Sequence, residues 1–319
     1  MALLLGDAEV GQVMSMADCV EVMEDAFRQV GRGDTWNRPR SRIRLPRGFH
    51  HLMAASVLGS GVFGLKTYTS FRAGTRFLIL LYDSNTGDLL SLVQGSRCSL
   101  LRTSAVSAVA TRHMAREDAR TVGIIGTGFQ GRGQLEGVCA VRNIESVRAY
   151  DRFPEACAKF CSEMSEKLGL EVTQAESSEE CVRGSDIVIT MTTSRSPVLL
   201  GEWLEPGMHV NAAGSNHWIR QEVDDDVIRR SDRIVVDSIE DAKIEAGDLL
   251  YPIERGRVQW DQIHDLASVV VGRVAGRESA DEITLFESQG IAISDVAAAA
   301  YVFRKAKEQG LGVEAPLEL

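Results

Sequence analysis

Residues 14–32, MSMADCVEVMEDAFRQVGR, carry apolar side chains at helical spacing and end beside a glycine, which predicts an amphipathic helix. The pattern then alternates. In RPRSRIRLP the side chains of Arg40, Arg42 and Arg44 fall on one face of an extended strand. HLMAASVL, GVFGLKTYTSF and TRFLILLYDSNTGDLLSLVQG follow, rich in β-branched and aromatic residues, and DSNTGD reads as a hairpin turn. After a helical run over 99–117, the period changes again. From Thr121 onward short apolar strands alternate with helices: TVGIIG, SVRAYD, DIVITMT, HVNAAG and RIVVD. Such runs, apolar on both faces, belong to a parallel, doubly wound sheet. Near the end, GIAISDVAAAAYVFRKAKEQGLG predicts a long alanine-rich helix closed by glycines.

These patterns predict an α/β protein of two domains. An α+β domain comes first and a doubly wound Rossmann domain begins at about residue 118. The chain length of 319 residues agrees, because one core seldom grows that large. With 44% hydrophobic and 25% charged residues the composition is globular. The net charge of −10 lacks the basic footprint of a nucleic-acid binder, so no nucleic-acid partner is expected. The apolar run FLILLY is far shorter than the roughly 20 residues that cross a bilayer, and MALLLGDAEV lacks the basic start of a signal peptide. The expectation is a cytoplasmic protein with no membrane partner. Cys19, Cys98, Cys139, Cys157, Cys161 and Cys181 show no paired spacing, so reduced thiols and no metal site are expected.

TVGIIGTGFQG places Gly126, Gly128 and Gly131 directly between an apolar strand and a helix. The first glycine permits the tight turn, the second lets a pyrophosphate approach the backbone, and the third lets helix pack on strand. The helix N-terminus then offers its free N–H groups to the phosphates. Thr127 and Gln130 lie within the same turn. The next strand ends in Asp151, whose carboxylate accepts from ribose hydroxyls and repels a 2′-phosphate. This predicts NAD(H) as the preferred cofactor. Arg152 follows at once and leaves NADP(H) open.

The chain resembles the ornithine cyclodeaminase/μ-crystallin family along nearly its whole length. The resemblance rests on GLKTYTSF, LLRTSAVSAVATRHMAR, VGIIGTGFQGRGQLEGVCAVRNIESVRAYDR and EITLFESQGIAISDVAAAAYVFRKA. It implies a substrate and dimerisation domain built from 1–117 with 291–319, a dinucleotide domain over 118–290, an active site in the cleft, and a homodimer. It also implies chemistry on an α-imino or α-amino acid with a bound nicotinamide. The family holds ketimine and imino-acid reductases, amino-acid dehydrogenases and cyclodeaminating lyases.

Such a substrate needs its carboxylate held and its nitrogen protonated. Arg102 suits a bidentate carboxylate clamp, and Lys66 sits on a strand that is otherwise apolar on its inward face, an expensive place for an ammonium without a partner. Both match family residues at the substrate, as does Arg40. Arg42, Arg44, His50 and His51 are weaker candidates. If the arginine row faces one pocket, a second carboxylate, as in iminosuccinate, fits it. On the cofactor side the resemblance points to Thr103, Thr192, Thr193, Ser215, Asn216, Ser288 and Gly290. NAAGSNHWIRQEVD, residues 211–224, ends a strand at a sharp break and continues from Trp218 as a charged, helix-like run. In cyclodeaminases and alanine dehydrogenases of the family this turn carries an aspartate that shuttles a proton. Here the position is Asn216, and an amide is neither acid nor base near neutral pH. Asn216 is therefore expected to act through hydrogen bonds, with Lys66 or His217 supplying the proton. The expected activity is hydride transfer between NAD(H) and an α-imino/α-amino acid, and the alternative is an NAD-dependent ornithine cyclodeaminase-type lyase.

Overall fold

The computed structural model describes residues 2–316; residues 1 and 317–319, at the two ends of the expected first domain, lie outside the described residues. The chain divides into two compact units, Met1–Ala105 with Ile291–Leu319 and Val106–Gly290. The first division falls inside the helix Gly95–Met114, before the break at 118 that the sequence pattern marks. The helix is continuous through that point, so the apolar pattern changes only once it has ended.

The first unit holds one sheet. Its strand order is Val313–Ala315, Ala2–Leu5, Leu89–Gln94, Gly74–Asp83, Val62–Phe71, Gly48–Val57 and Thr35–Leu45. Neighbours are antiparallel except Ala2–Leu5 and Leu89–Gln94, which run parallel. The hairpin after Asp83 is a side-chain-built turn: Asp83 Oδ1 accepts from the backbone N–H groups of Asn85 and Thr86, and Gly87 takes a left-handed φ of 79°. The expected first helix runs Met16–Arg32, started by Ser15, which accepts from Asp18 N–H, and stopped by Gly33 in the left-handed region. The C-terminal helix Ala292–Gln309 packs on this sheet, and its first half, residues 292–300, is buried throughout and apolar apart from Ser294 and Asp295. A register shift between Arg38 and Ser41 breaks the pairing of Thr35–Leu45 with Gly48–Val57. Arg42 and Arg44 lie beyond the shift, opposite His51 and Phe49 in regular register, and burial falls along the row: Arg40 is buried, Arg42 half-buried and Arg44 exposed.

In the second unit all strands are parallel, ordered Ile263–Asp265, Arg233–Val236, Thr284–Glu287, His209–Ala212, Ile187–Thr190, Thr121–Ile125, Ser146–Tyr150 and Glu171–Gln174. Two separate apolar clusters explain why the strands read as unbroken hydrophobic runs. One contains Ile125, Val188, Val210 and Leu285; the other contains Ile124, Val147, Ile187 and Ile189. The strand order reverses between Thr121–Ile125 and Ile187–Thr190, the switch point at which doubly wound sheets bind ligands. The charged run after Trp218 is not helical until Asp225–Arg230; residues 217–223 form turns instead. Among the described residues no helix is long and apolar enough to cross a membrane, and all six cysteines are free.

Candidate active site

The glycine motif sits at the carboxyl end of Thr121–Ile125, where the helix Phe129–Val141 begins at Gly128. Gly126 has φ 102°, and a Cβ there would lie 2.4 Å from the carbonyl of Met191. A Cβ on Gly131 would meet the carbonyl of Gly126 at 2.3 Å. Only glycine fits either place. Gly128 meets nothing, so its backbone is open to a ligand, and no side chain caps the helix. This is the cradle that a dinucleotide pyrophosphate needs. Asp151 is tied to the cradle: its Oδ2 accepts from Thr127 N–H at 2.9 Å and from Thr127 Oγ1 at 3.0 Å, and its Oδ1 accepts from Phe153 N–H at 3.1 Å. The carboxylate therefore props the glycine turn as well as ending the second strand. Arg152 is exposed and stacks 4.7 Å above the Phe153 ring. Gln130 lies on the first turn of the helix, with its Oε1 buried and unbonded.

Thr192 and Thr193 follow Ile187–Thr190, and Ser215 and Asn216 follow His209–Ala212. Ser288 and Gly290 follow Thr284–Glu287. All lie beyond the carboxyl ends of neighbouring central strands. Ser288 Oγ donates to Asp237 at 2.9 Å and Gly290 N–H donates to the same carboxylate at 2.6 Å, so Asp237 orders this loop. Thr103 lies on Gly95–Met114 within the first unit, while the glycine motif belongs to the second.

The first unit gathers a different constellation. Lys66, from Val62–Phe71, is 2% exposed. Its Nζ donates to Asp295 Oδ1 at 2.9 Å and stands 4.8 Å from the centre of the Phe77 ring and 5.5 Å from that of Tyr68. Arg102 donates through Nε to the same Oδ1, also at 2.9 Å, while its Nη1 is buried without a hydrogen-bond partner. Asp295 lies in the first turn of the C-terminal helix and is completely buried. Arg40 is buried beside Met53, donating from Nε to its sulfur at 3.3 Å, and its charge also acts on Lys66. Burial, and next the charge of Arg102, hold the Lys66 ammonium down to about 8, while Asp295 pulls it back up. His51 is buried and stacks on Tyr68 with ring centres 4.1 Å apart; His50 is half-buried, its Nε2 2.5 Å from Thr67 Oγ1.

The model of the ornithine cyclodeaminase/mu-crystallin family matches residues 2–310. The chain belongs to that family. It is similar to a Delta(1)-pyrroline-2-carboxylate reductase of Bacillus cereus, 40% identical over 236 residues covering 74% of this chain and 72% of the relative. It is also similar to the alanine dehydrogenase of Archaeoglobus fulgidus, 32% identical over 97% of both chains. Among solved structures, Thermococcus litoralis Delta(1)-pyrroline-2-carboxylate reductase in complex with NADH and L-proline superposes with a TM-score of 0.95. It is 37% identical, over 98% of this chain and 100% of that one.

In this member of the ornithine cyclodeaminase/mu-crystallin family, the turn at 214–216 is built on two acids the sequence pattern concealed. Glu222 is completely buried. Its carboxylate accepts from Thr192 N–H at 2.5 Å, Gly214 N–H at 2.7 Å and Thr190 Oγ1 at 3.0 Å. Asp248, equally buried, accepts from the N–H groups of Glu222 and Val223 at 2.7 and 3.0 Å. Burial pushes both carboxyls up, Asp248 to about 7 with the charge of Glu222 as its second cause. Ser215 donates its hydroxyl to the Arg220 carbonyl at 3.1 Å, and Asn216 Oδ1 accepts from Arg220 Nη1 at 3.1 Å. The amide at 216 is thus a fixed hydrogen-bonding group on a rigid turn. His217 is half-buried, its Nδ1 accepting from Ile219 N–H at 3.3 Å.

Proposed function

We propose that the protein reduces an α-imino acid to the α-amino acid with NADH, the first unit taking the substrate and the second the dinucleotide. The observation that carries this reading is the charge imbalance around Asp295. The guanidinium of Arg102 and the ammonium of Lys66 are buried and share that one carboxylate, two positive charges on one negative. Buried charge without full compensation is costly, and a substrate carboxylate supplies what is missing. Arg102 spends its Nε on Asp295, which leaves its Nη groups as donors for that carboxylate. Lys66 supplies the proton. It moves from Nζ to the imine nitrogen, and the resulting iminium carbon is a far better hydride acceptor than a neutral imine. The Gly126–Gly131 cradle would hold the pyrophosphate of NADH, whose nicotinamide would supply the hydride. Asn216 orients ligand and turn by hydrogen bonds and moves no proton.

The reductase and dehydrogenase relatives support this chemistry. Asn216 further separates it from cyclodeamination, which needs repeated proton transfer at nitrogen. With Delta(1)-pyrroline-2-carboxylate as substrate, the protein is expected to consume NADH stoichiometrically. With ornithine it is expected to release no ammonia. Ammonia release from ornithine without net change in NADH would overturn the reading.

Asp151 favours NADH over NADPH. Asp151→Ser is expected to improve use of NADPH relative to NADH. Because Asp151 also props Thr127, the same change should weaken NADH itself. An unaltered ratio of kcat/KM for the two cofactors would remove Asp151 from the ribose site. We further assign the protein to the cytoplasm, where its free thiols stay reduced. It is assigned as a homodimer joined through the first unit's sheet, whose outer face exposes Leu52, Phe63 and Leu78 on adjacent strands.

A further inference from the structure

Asp295 has no substrate-binding role in the scheme above, yet it is the group that Lys66 and Arg102 share. Three features single it out. It is completely buried, so its charge is there for the two cations and not for solvent. One oxygen, Oδ1, takes both hydrogen bonds, while Oδ2 is buried without a hydrogen-bond partner. A carboxylate present only to neutralise two cations would be satisfied by spreading them over both oxygens. Convergence on one oxygen instead sets the two donors at a fixed separation. It also meets Arg102 at Nε, which leaves the Nη groups for another acceptor. Finally, the helix places Asp295 in its first turn, where the backbone dipole stabilises negative charge.

We propose that Asp295 is a positioning residue for imine reduction: it holds Lys66 aimed and protonated as the proton donor, and holds Arg102 by its Nε so that the Nη groups are left for the substrate carboxylate. The inference rests on Lys66 being the proton donor. The proton that leaves Nζ goes to the imine nitrogen with no change in electron count, and Lys66 regains it from solvent after product leaves. Asp295 takes no part in the proton transfer and forms no bond to substrate.

The charges facing Lys66 determine the sign of the effect. Arg102 from the helix Gly95–Met114 and Arg40 from Thr35–Leu45 disfavour the ammonium, as burial does. Asp295 from the C-terminal helix is the negative group that favours it. Tyr68 and Phe77 contribute ring faces, and Cys98, whose thiol burial pushes up to about 12, contributes no charge near neutrality. The donor is active when protonated. In the wild type, kcat/KM is therefore expected to fall as pH rises through about 8. Removing the charge of Asp295 leaves burial and two guanidinium groups unopposed, so the same limb must move to lower pH.

The test compares pH profiles of kcat/KM for the wild type, Asp295→Asn and Lys66→Met, with thermal unfolding as the check that the protein is folded and NADH affinity as the check on the dinucleotide site. For Asp295→Asn the expected result is a loss on the order of 100-fold at neutral pH and an alkaline limb shifted down by about one pH unit or more, at unchanged NADH affinity. Asp295→Glu, which retains the charge, is expected to keep the limb near its wild-type place even where turnover drops. An Asp295→Asn enzyme with a wild-type limb overturns the proposal. If Lys66→Met abolishes the limb while Asp295→Asn leaves it in place, only the role of Asp295 fails. If Lys66→Met keeps both turnover and limb, the proton-donor reading itself fails. Should Asp295→Asn not fold, Asp295→Ser takes its place in the comparison; if neither variant folds, Asp295 is a folding residue and the proposal is overturned.

Discussion

Lys66→Met and Arg102→Met are each expected to lose at least about 100-fold in kcat/KM for the imino acid, with NADH affinity unchanged. The two losses should differ in kind. Arg102 gives a charge-assisted hydrogen bond to a carboxylate that is present before and during the reaction, so its removal falls mainly on KM. Lys66 gives a proton only as the reaction proceeds, so its removal falls on kcat. Methionine suits both positions because it fills a long, narrow volume without charge, which matters where Lys66 is 2% exposed and lies against the Phe77 and Tyr68 rings. Each change also leaves Asp295 with one cation instead of two. The variants must therefore be checked for folding by thermal unfolding, because the glycine cradle belongs to the other unit and NADH binding reports on that unit. Near-wild-type kcat/KM in either variant would remove that residue from the site.

What the sequence disclosed about this site follows from how locally each feature is encoded. The glycine cradle was legible because strand, turn and helix are contiguous and the backbone itself demands the residues: Gly126 at a left-handed φ, Gly131 against a carbonyl. Lys66 stood out as a cation among inward apolar neighbours, and it is buried as that pattern requires. Its partner did not stand out. Asp295 lies 229 positions away, inside an alanine-rich helix where one polar residue per few turns ordinarily faces water. The signal available was the near absence of any other polar residue between Ala292 and Ala300: a helix apolar on every side has no solvent face for an aspartate. The arginine row carried less information than its alternation promised: Arg42 and Arg44 keep one face in regular register, yet only Arg40 is buried, because burial falls along the strand in a way that period two does not encode.

The stretch IRQEVDDDV shows the same limit on the dinucleotide side. Its density of charge reads as a solvated helix, yet Glu222 is completely buried and the helix begins only at Asp225. Three donors from two strand ends converge on that one carboxylate, a non-local fact that composition cannot carry. The short strand Thr284–Glu287 escaped for a related reason: four residues are too few to establish a period, although they sit centrally in the sheet.

Glu222→Ala is consequently expected to damage the protein more than a charged residue in an acidic run would. Thr192 N–H, Gly214 N–H and Thr190 Oγ1 all lose their acceptor, and Gly214 is fully buried. A buried donor left unsatisfied costs about 1–3 kcal/mol, so those of Gly214 and Thr190 together cost roughly 2 kcal/mol or more, and the half-buried Thr192 N–H adds less. Part of that is offset because a carboxylate whose charged form burial disfavours is removed as well. The sign nevertheless stays destabilising, since backbone donors at strand ends cannot be deleted along with their acceptor. The damage should also be local. Glu222 ties the end of Ile187–Thr190 to the turn that presents Ser215 and Asn216, so NADH affinity should fall more than Asp151→Ser lowers it. Glu222→Gln retains one carbonyl oxygen for part of the set but turns an amide toward the remaining donor, and is expected to lie between the wild type and Glu222→Ala. Thermal unfolding and NADH titration of the three proteins check the order. A Glu222→Ala protein with wild-type stability and NADH affinity would show that the turn is held by Arg220 and Asp248 alone.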